Sequence, residues 1–237
     1  MSKWQIRREG DIAILAMDDG KANVVLVPEF EELEAALTTI EKSDAKACVL
    51  TGRAGYLSAG LNLKVLATLS LDEKQKLVAA MGSAVLKIFL FPKPVVAAVS
   101  GHALGAGAMF ALAADVRVFA DGPFKFGLNE VPAGLFVPSY AVEVARAAVS
   151  PSRLTEVVVH GRVLSPMEAL SMHIAEAVHS PEAHLTAALI LARGLAPLSG
   201  SGYALTKRLV REPLAEFARS KMPGELLEMA RMMDSRK

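Results

Sequence analysis

The chain has 237 residues, 52% of them apolar, with Lys+Arg 26 set against Asp+Glu 25 and one cysteine. That is enough to bury a sizeable core in one domain plus an appendage, and a formal net charge of +1 excludes bulk electrostatic attraction to nucleic acid or anionic membrane. The lone Cys48, inside the core-strand run Ala47-Cys48-Val49-Leu50, permits neither a disulfide framework nor a cysteine metal site within the chain.

The N-terminal stretch Met1–Glu9 lacks an apolar run of signal-peptide length and carries an acidic residue, so a cytoplasmic protein is expected. Asp11–Met17 reads as a strand ended by the Asp18-Asp19-Gly20-Lys21 turn, and Lys21–Val27 as a loop. Pro28 opens a helix with Phe30, Leu33, Leu37 and Ile40 on its apolar stripe, and Lys46–Thr51 is the next buried strand. A glycine-containing turn, Tyr56–Lys64, follows. Ser70 and Glu73 have capping-box spacing at the start of a helix reaching about Phe91.

The segment Lys93–Met109 reads as a buried strand passing through a glycine-rich turn, with Gly101, Gly105 and Gly107, into an alanine-rich helix. Val95–Ala114 has the length of a membrane span and no Asp, Glu, Lys or Arg, but its glycines, His102 and the absence of a basic flank favour a buried element of a globular fold. Asp115–Ala120 and Phe124–Gly127 read as strands, with Glu130 in the loop beyond. From Pro138 the chain reads almost wholly helical, broken at Pro151, Pro166, Pro181, Pro197, Pro213 and Pro223. Its tail keeps Phe217, Leu226, Met229, Met232 and Met233 available for packing.

Chemistry concentrates at the two strand-to-helix glycine turns. The first N–H groups of a helix lack internal partners and carry partial positive charge, so such a turn stabilises an oxygen that develops negative charge. An oxyanion hole commonly takes two such donors. A dinucleotide site at Gly105-Ala106-Gly107 is disfavoured because Phe110 stands where that fingerprint has its third glycine. A serine hydrolase is disfavoured because no G-x-S-x-G elbow is present. The five histidines have no metal-ligand spacing, so no metal is expected, and His102 reads best as a packed, hydrogen-bonded side chain.

Three blocks together, Ser58-Ala59-Gly60-Leu61-Asn62-Leu63-Lys64, Lys93–Asp115 and Phe126-Gly127-Leu128-Asn129-Glu130-Val131, resemble the crotonase, or enoyl-CoA hydratase/isomerase, superfamily in order and spacing. The resemblance implies an α/β fold, a spiral of repeated β-β-α units forming two sheets. It implies a core over 1–190 holding an acyl-CoA site and a C-terminal helical region over 191–237 that serves in oligomerisation or as a lid. A homotrimer or dimer of trimers is implied. So is an acyl-CoA thioester substrate in fatty acid metabolism, with no cofactor beyond the coenzyme A carried by the substrate.

Position by position, the resemblance makes the backbone N–H groups of Leu61, just after Gly60, and Ala106, between Gly105 and Gly107, the donors to the thioester oxygen. Ala22, Asn23 and Ala59 would face coenzyme A, with Lys64 near its phosphates. Glu130 matches one of two hydratase glutamates. The other position holds Met109, three residues after Ala106 on the same helical face, and methionine cannot transfer protons. One carboxylate suffices to move a double bond, and Leu128-Asn129-Glu130 resembles the Δ3,Δ2-enoyl-CoA isomerase branch. That branch is the expectation, with enoyl-CoA hydratase the alternative, drawing on a water at Asn129 or on Tyr140 as acid. A non-catalytic acyl-CoA-binding scaffold is the second alternative. Apolar neighbours such as Val131, Phe136 and Met109 are expected to raise the Glu130 pKa.

Overall fold

A computed structural model describes residues 2–234; Met1 and residues 235–237, the ends of the two regions drawn from sequence, lie outside the described residues. The apolar runs become strands of a six-stranded sheet, β1 (Trp4–Glu9), β2 (Ile12–Met17), β4 (Ala47–Thr51), β7 (Val95–Val99), β9 (Val116–Ala120) and β11 (Ala177–His179), paired in that order. The β1–β2 pair is antiparallel and the rest are parallel. Every residue of β2, β4 and β7 is buried because both faces are covered, as parallel sheets require. Ala188, Leu189 and Ala192 of α8 (His184–Leu195) lie on one face against Ile14, Val49 and Val96. Helices α1 (Val27–Lys42) and α3 (Leu71–Phe89) fill the other, with Phe30, Leu33, Leu77 and Val85 in one core with Leu15, Leu50 and Ala97.

Helix α3 starts on the expected capping box, Ser70 Oγ accepting from Glu73 N at 3.3 Å and Ser70 N donating to Glu73 Oε2 at 2.8 Å. Two strands of the six-stranded sheet escape the sequence reading. In β1 only Trp4 is buried, and β11 has no buried residue. Each is an edge strand held by backbone pairing rather than by an apolar run. The Lys21–Val27 loop likewise contains a short strand, β3 (Val24–Val25).

The glycine-rich turn after β7 is itself a strand, β8 (Gly101–Leu104), so the chain leaves the large sheet and enters a second. There β8 runs between β5 (Gly55–Ser58) and β10 (Phe126–Gly127), parallel to both. The crossing needs glycine: a Cβ at Gly101 would collide with the Gly55 backbone. The span-length segment Val95–Ala114 is therefore two strands and α4 (Ala106–Ala113). Among the described residues, no helix is long and apolar enough to cross a membrane.

Beyond Pro138 the prolines divide into two kinds. Pro151 and Pro166 stand in the first turns of α6 (Pro151–Leu154) and α7 (Pro166–Ser171), where a missing N–H costs nothing. Pro213 and Pro223, expected to break the chain, lie inside the single helix α9 (Ser201–Asp234). Both are exposed, so water can meet the carbonyls they leave unbonded, while Ala215, Ala218, Met229, Ala230 and Met233 bury the opposite side. Phe217, expected to pack, is 50% exposed.

The boundary drawn after residue 190 falls within α8, and α9 is fastened to the core along its length. Arg211 Nη1 donates to Phe89 O at 2.8 Å and Ala113 O at 3.2 Å, carbonyls at the C-terminal ends of α3 and α4. Asp115 meets Lys207 Nζ at 2.8 Å and Arg211 Nη2 at 3.0 Å. Glu225 accepts from Ser139 N at 3.0 Å and from Ser139 Oγ, supplying the N-terminal cap that α5 (Ser139–Ala148), preceded by Pro138, lacks in its own sequence.

Candidate active site

Because β5, β8 and β10 are parallel neighbours, their C-terminal ends open on the same side. The chain leaves β5 through Ala59 into Gly60 and Leu61, leaves β8 through Gly105 into α4, and leaves β10 through Leu128 and Asn129 to Glu130. Seven of the residues singled out from sequence, Ala59, Gly60, Leu61, Gly105, Ala106, Met109 and Glu130, line one cavity of about 200 Å³. They are separated in sequence and brought together by strand order alone.

The two turns touch. A Cβ built on Gly60 would lie 2.8 Å from Leu104 O and 3.6 Å from Ala106 N. Ala106 is the first residue of α4, so its N–H has no intrahelical acceptor. Strand β6 (Gly60–Leu61) pairs with β3, and Asn62 N donates to Val25 O at 3.3 Å. Alternation along the strand then turns the Leu61 N–H to the other side. Two backbone donors thus belong to adjoining segments of the cavity wall. Gly105 holds the bend between β8 and α4 at φ 51°, and a Cβ there would stand 3.3 Å from Glu130 Oε1.

Glu130 begins a turn closed by Leu135 N donating to Glu130 O at 2.9 Å. Its Oε2 is out of contact with water and has no hydrogen-bond partner among the described residues. Burial pushes its carboxyl up from 4.5 to about 7, since an ionised carboxylate is disfavoured away from water. Of the neighbours expected to cause this, Met109 is buried and shares the cavity, Phe136 is half-buried and Val131 is exposed. Among the described residues lining the cavity, Glu130 is the only titratable side chain.

Three sequence-derived positions lie off the cavity. Asn23 is wholly buried, and its side chain is a strut: Nδ2 donates to Met17 O at 2.8 Å and Leu57 O at 3.1 Å, and Oδ1 accepts from Asp19 N at 3.0 Å. With those bonds made, its side chain holds the loop in place. Ala22 is half-buried, its carbonyl accepting from Ala59 N at 3.0 Å, so it sets the position of the Ala59 turn. Lys64 is exposed on the short helix α2 (Leu63–Leu66). Tyr140 is fully buried and its hydroxyl lacks a partner among the described residues. Burial, with Glu130 and Glu225 nearby, pushes its pKa well above 10. His102 is packed, its Nδ1 accepting from Lys125 N at 3.1 Å between the rings of Tyr56 and Phe124.

The sequence reading missed Met81 of α3, Leu135 and Pro138 as cavity walls, and did not connect Met229 and Met233 with the site. Their only signal was apolar character, on helical faces for the methionines and in the loop before α5 for Leu135 and Pro138, which fits any core.

The family model described as enoyl-CoA hydratase/isomerase matches residues 7–225. A protein of Mycobacterium tuberculosis described as a probable enoyl-CoA hydratase is 34% identical over 199 residues, 84% of this chain and 75% of that protein. A solved protein of Mycobacterium tuberculosis, described in one structure as an enoyl-CoA isomerase and in another as a probable enoyl-CoA hydratase, superposes with a TM-score of 0.87 at 27% identity, covering 94% of this chain and 97% or 94% of that one. The human mitochondrial Δ3-Δ2-enoyl-CoA isomerase shares the fold at a TM-score of 0.92 and 22% identity, covering 99% and 93% of the two chains.

Proposed function

Because the chain belongs to the enoyl-CoA hydratase/isomerase family, we propose that it binds an acyl-CoA thioester and moves the double bond of a 3-enoyl-CoA to the 2-position, with Glu130 as the single proton shuttle. The thioester oxygen accepts from the Leu61 and Ala106 N–H groups. Glu130 removes a proton from C2, the electron pair moves onto the thioester oxygen, and the enolate is stabilised by both donors, each worth about 2.7–4 kcal/mol in comparable sites. The enolate collapses with the double bond between C2 and C3, and the same carboxyl returns the proton to C4. A pKa of about 7 suits a group that must act first as base and then as acid.

The observation that carries this reading is Met109, buried in the cavity wall beside Glu130. Addition of water needs one group to activate it and another to deliver a proton. The names of the curated relatives favour hydration, and that route would draw on a water held at Asn129, which lines the cavity and is no acid itself, or on Tyr140 as acid. Tyr140 does not line the cavity and its raised pKa makes it a poor donor. Incubation with 3-enoyl-CoA should yield the conjugated thioester, seen by its ultraviolet absorbance, while 2-enoyl-CoA should stay unhydrated. Efficient hydration of 2-enoyl-CoA overturns the isomerase assignment. Binding without conversion or exchange of the C2 proton for deuterium leaves the scaffold reading.

A homotrimer or dimer of trimers is proposed as the assembly. Leu205, Leu209 and Val210 on α9 are 61%, 78% and 66% exposed, and such an apolar strip is the kind of surface subunit contacts cover.

A further inference from the structure

The cavity lining is exposed in one part and deeply buried in another. Leu63 on its rim is 69% exposed, whereas Met81, Met109, Met229 and Met233 are at most 6% exposed. A thioester carbonyl held at Leu61 and Ala106 places the coenzyme toward the exposed part of the lining, where Leu63 lies, and sends the acyl chain toward the buried methionines.

Two of these four come from α9. Met229 and Met233 stand one turn apart on its buried side. Helix α9 packs against α3, whose buried residues include Lys74, Val78 and Met81. The final turn is fastened there by an ion pair, Lys74 Nζ to Asp234 Oδ1 at 2.7 Å, with the Lys74 side chain wholly buried. The far wall is therefore a braced helix end presenting unbranched, polarizable side chains, which adapt to a ligand's shape but occupy volume.

We infer that Met229 and Met233 form the wall at which the acyl chain stops, and so set the longest chain the site accepts. The inference rests on the acyl-thioester reading above. The test is calorimetric binding of saturated, unreactive acyl-CoAs from butyryl- to palmitoyl-CoA. In the parent protein, affinity should rise roughly fourfold with each added CH2 up to a ceiling, then stop rising. Met229→Ala/Met233→Ala should move that ceiling out by two carbons or more and Met229→Phe should draw it in, while Leu63→Ala leaves it in place. The two methionine variants act in opposite directions, so loss of fold in one does not mimic the result. A ceiling unchanged in both, or one that Leu63→Ala moves equally, overturns the inference while the thioester reading stands. Failure of the parent to bind any acyl-CoA overturns the thioester reading and this inference with it.

Discussion

Replacing Glu130 by glutamine should stabilise the protein, in a pH window fixed by the buried carboxyl. Glu130 titrates near 7 in the folded chain against 4.5 for an exposed glutamate. Between those values the unfolded chain has released this proton while the folded chain retains it. The folded state binds more protons, so stability falls as pH rises from 4.5 to about 7 and is flat above. At about 1.4 kcal/mol per pH unit the loss is at most about 3 kcal/mol, and any water that reaches the carboxyl through the open part of the cavity reduces it. The amide of Glu130→Gln has no proton to lose and escapes this cost. Thermal melts followed by circular dichroism from pH 4 to 8.5 should coincide at the acid end and then separate. Above pH 7 the variant should melt higher by up to about 6–12 °C, at 2–4 °C per kcal/mol for a chain of this size. Curves that run parallel across the range would mean that Glu130 is hydrated and that the cavity does not raise its pKa.

The same variant should lose about 10²–10⁴-fold in isomerisation with acyl-CoA affinity retained, as measured by kcat alongside calorimetric Kd. For the parent, kcat/KM should fall about tenfold per pH unit below about 7, because the base must be ionised in the free enzyme; a flat profile down to pH 5 would contradict this. Gly105→Ala places a Cβ 3.3 Å from Glu130 Oε1 at a φ of 51°, and should lower kcat/KM by about 10²-fold through displacement of the base and the Ala106 donor. Met109→Glu should confer measurable hydration of 2-enoyl-CoA and raise the pH at which activity appears, since a second buried carboxylate repels the first. Glu225→Ala removes the cap of α5 and should cost about 1 kcal/mol, seen as a melting point lower by about 2–4 °C.

What the sequence disclosed follows from where the information resides. Apolar periodicity and the Ser70–Glu73 box located α1, α3, β2, β4 and β7 because burial and capping are local demands. The edge strands β1 and β11 were invisible because the neighbouring backbone holds them. Glycine spacing was read as a turn, whereas Gly101 permits close approach to Gly55 and begins a strand of a second sheet. Pro213 and Pro223 were read as breaks because a proline's cost is local, while the burial and side-chain anchors that keep α9 helical through them come from distant segments. At the site, residues joined to a recognisable turn were found. Met81, Met229 and Met233 were not, since they enter the cavity only through the docking of α9 on α3.

Met109 does more than leave out an acid. A carboxylate at that position would stand near Glu130 and, if ionised, would add charge repulsion and draw water into the cavity. A thioether adds no charge, brings no water and removes solvent from the space next to the base. The desolvation that carries Glu130 to about 7 and the exclusion of the water that hydration consumes are then one physical condition, set by the same buried wall. This makes the Met109→Glu experiment two-sided. If that variant hydrates while still isomerising at neutral pH, the dry wall is not what selects the reaction. If hydration appears only as isomerisation declines, the methionine selects by keeping one carboxyl alone in an apolar cavity.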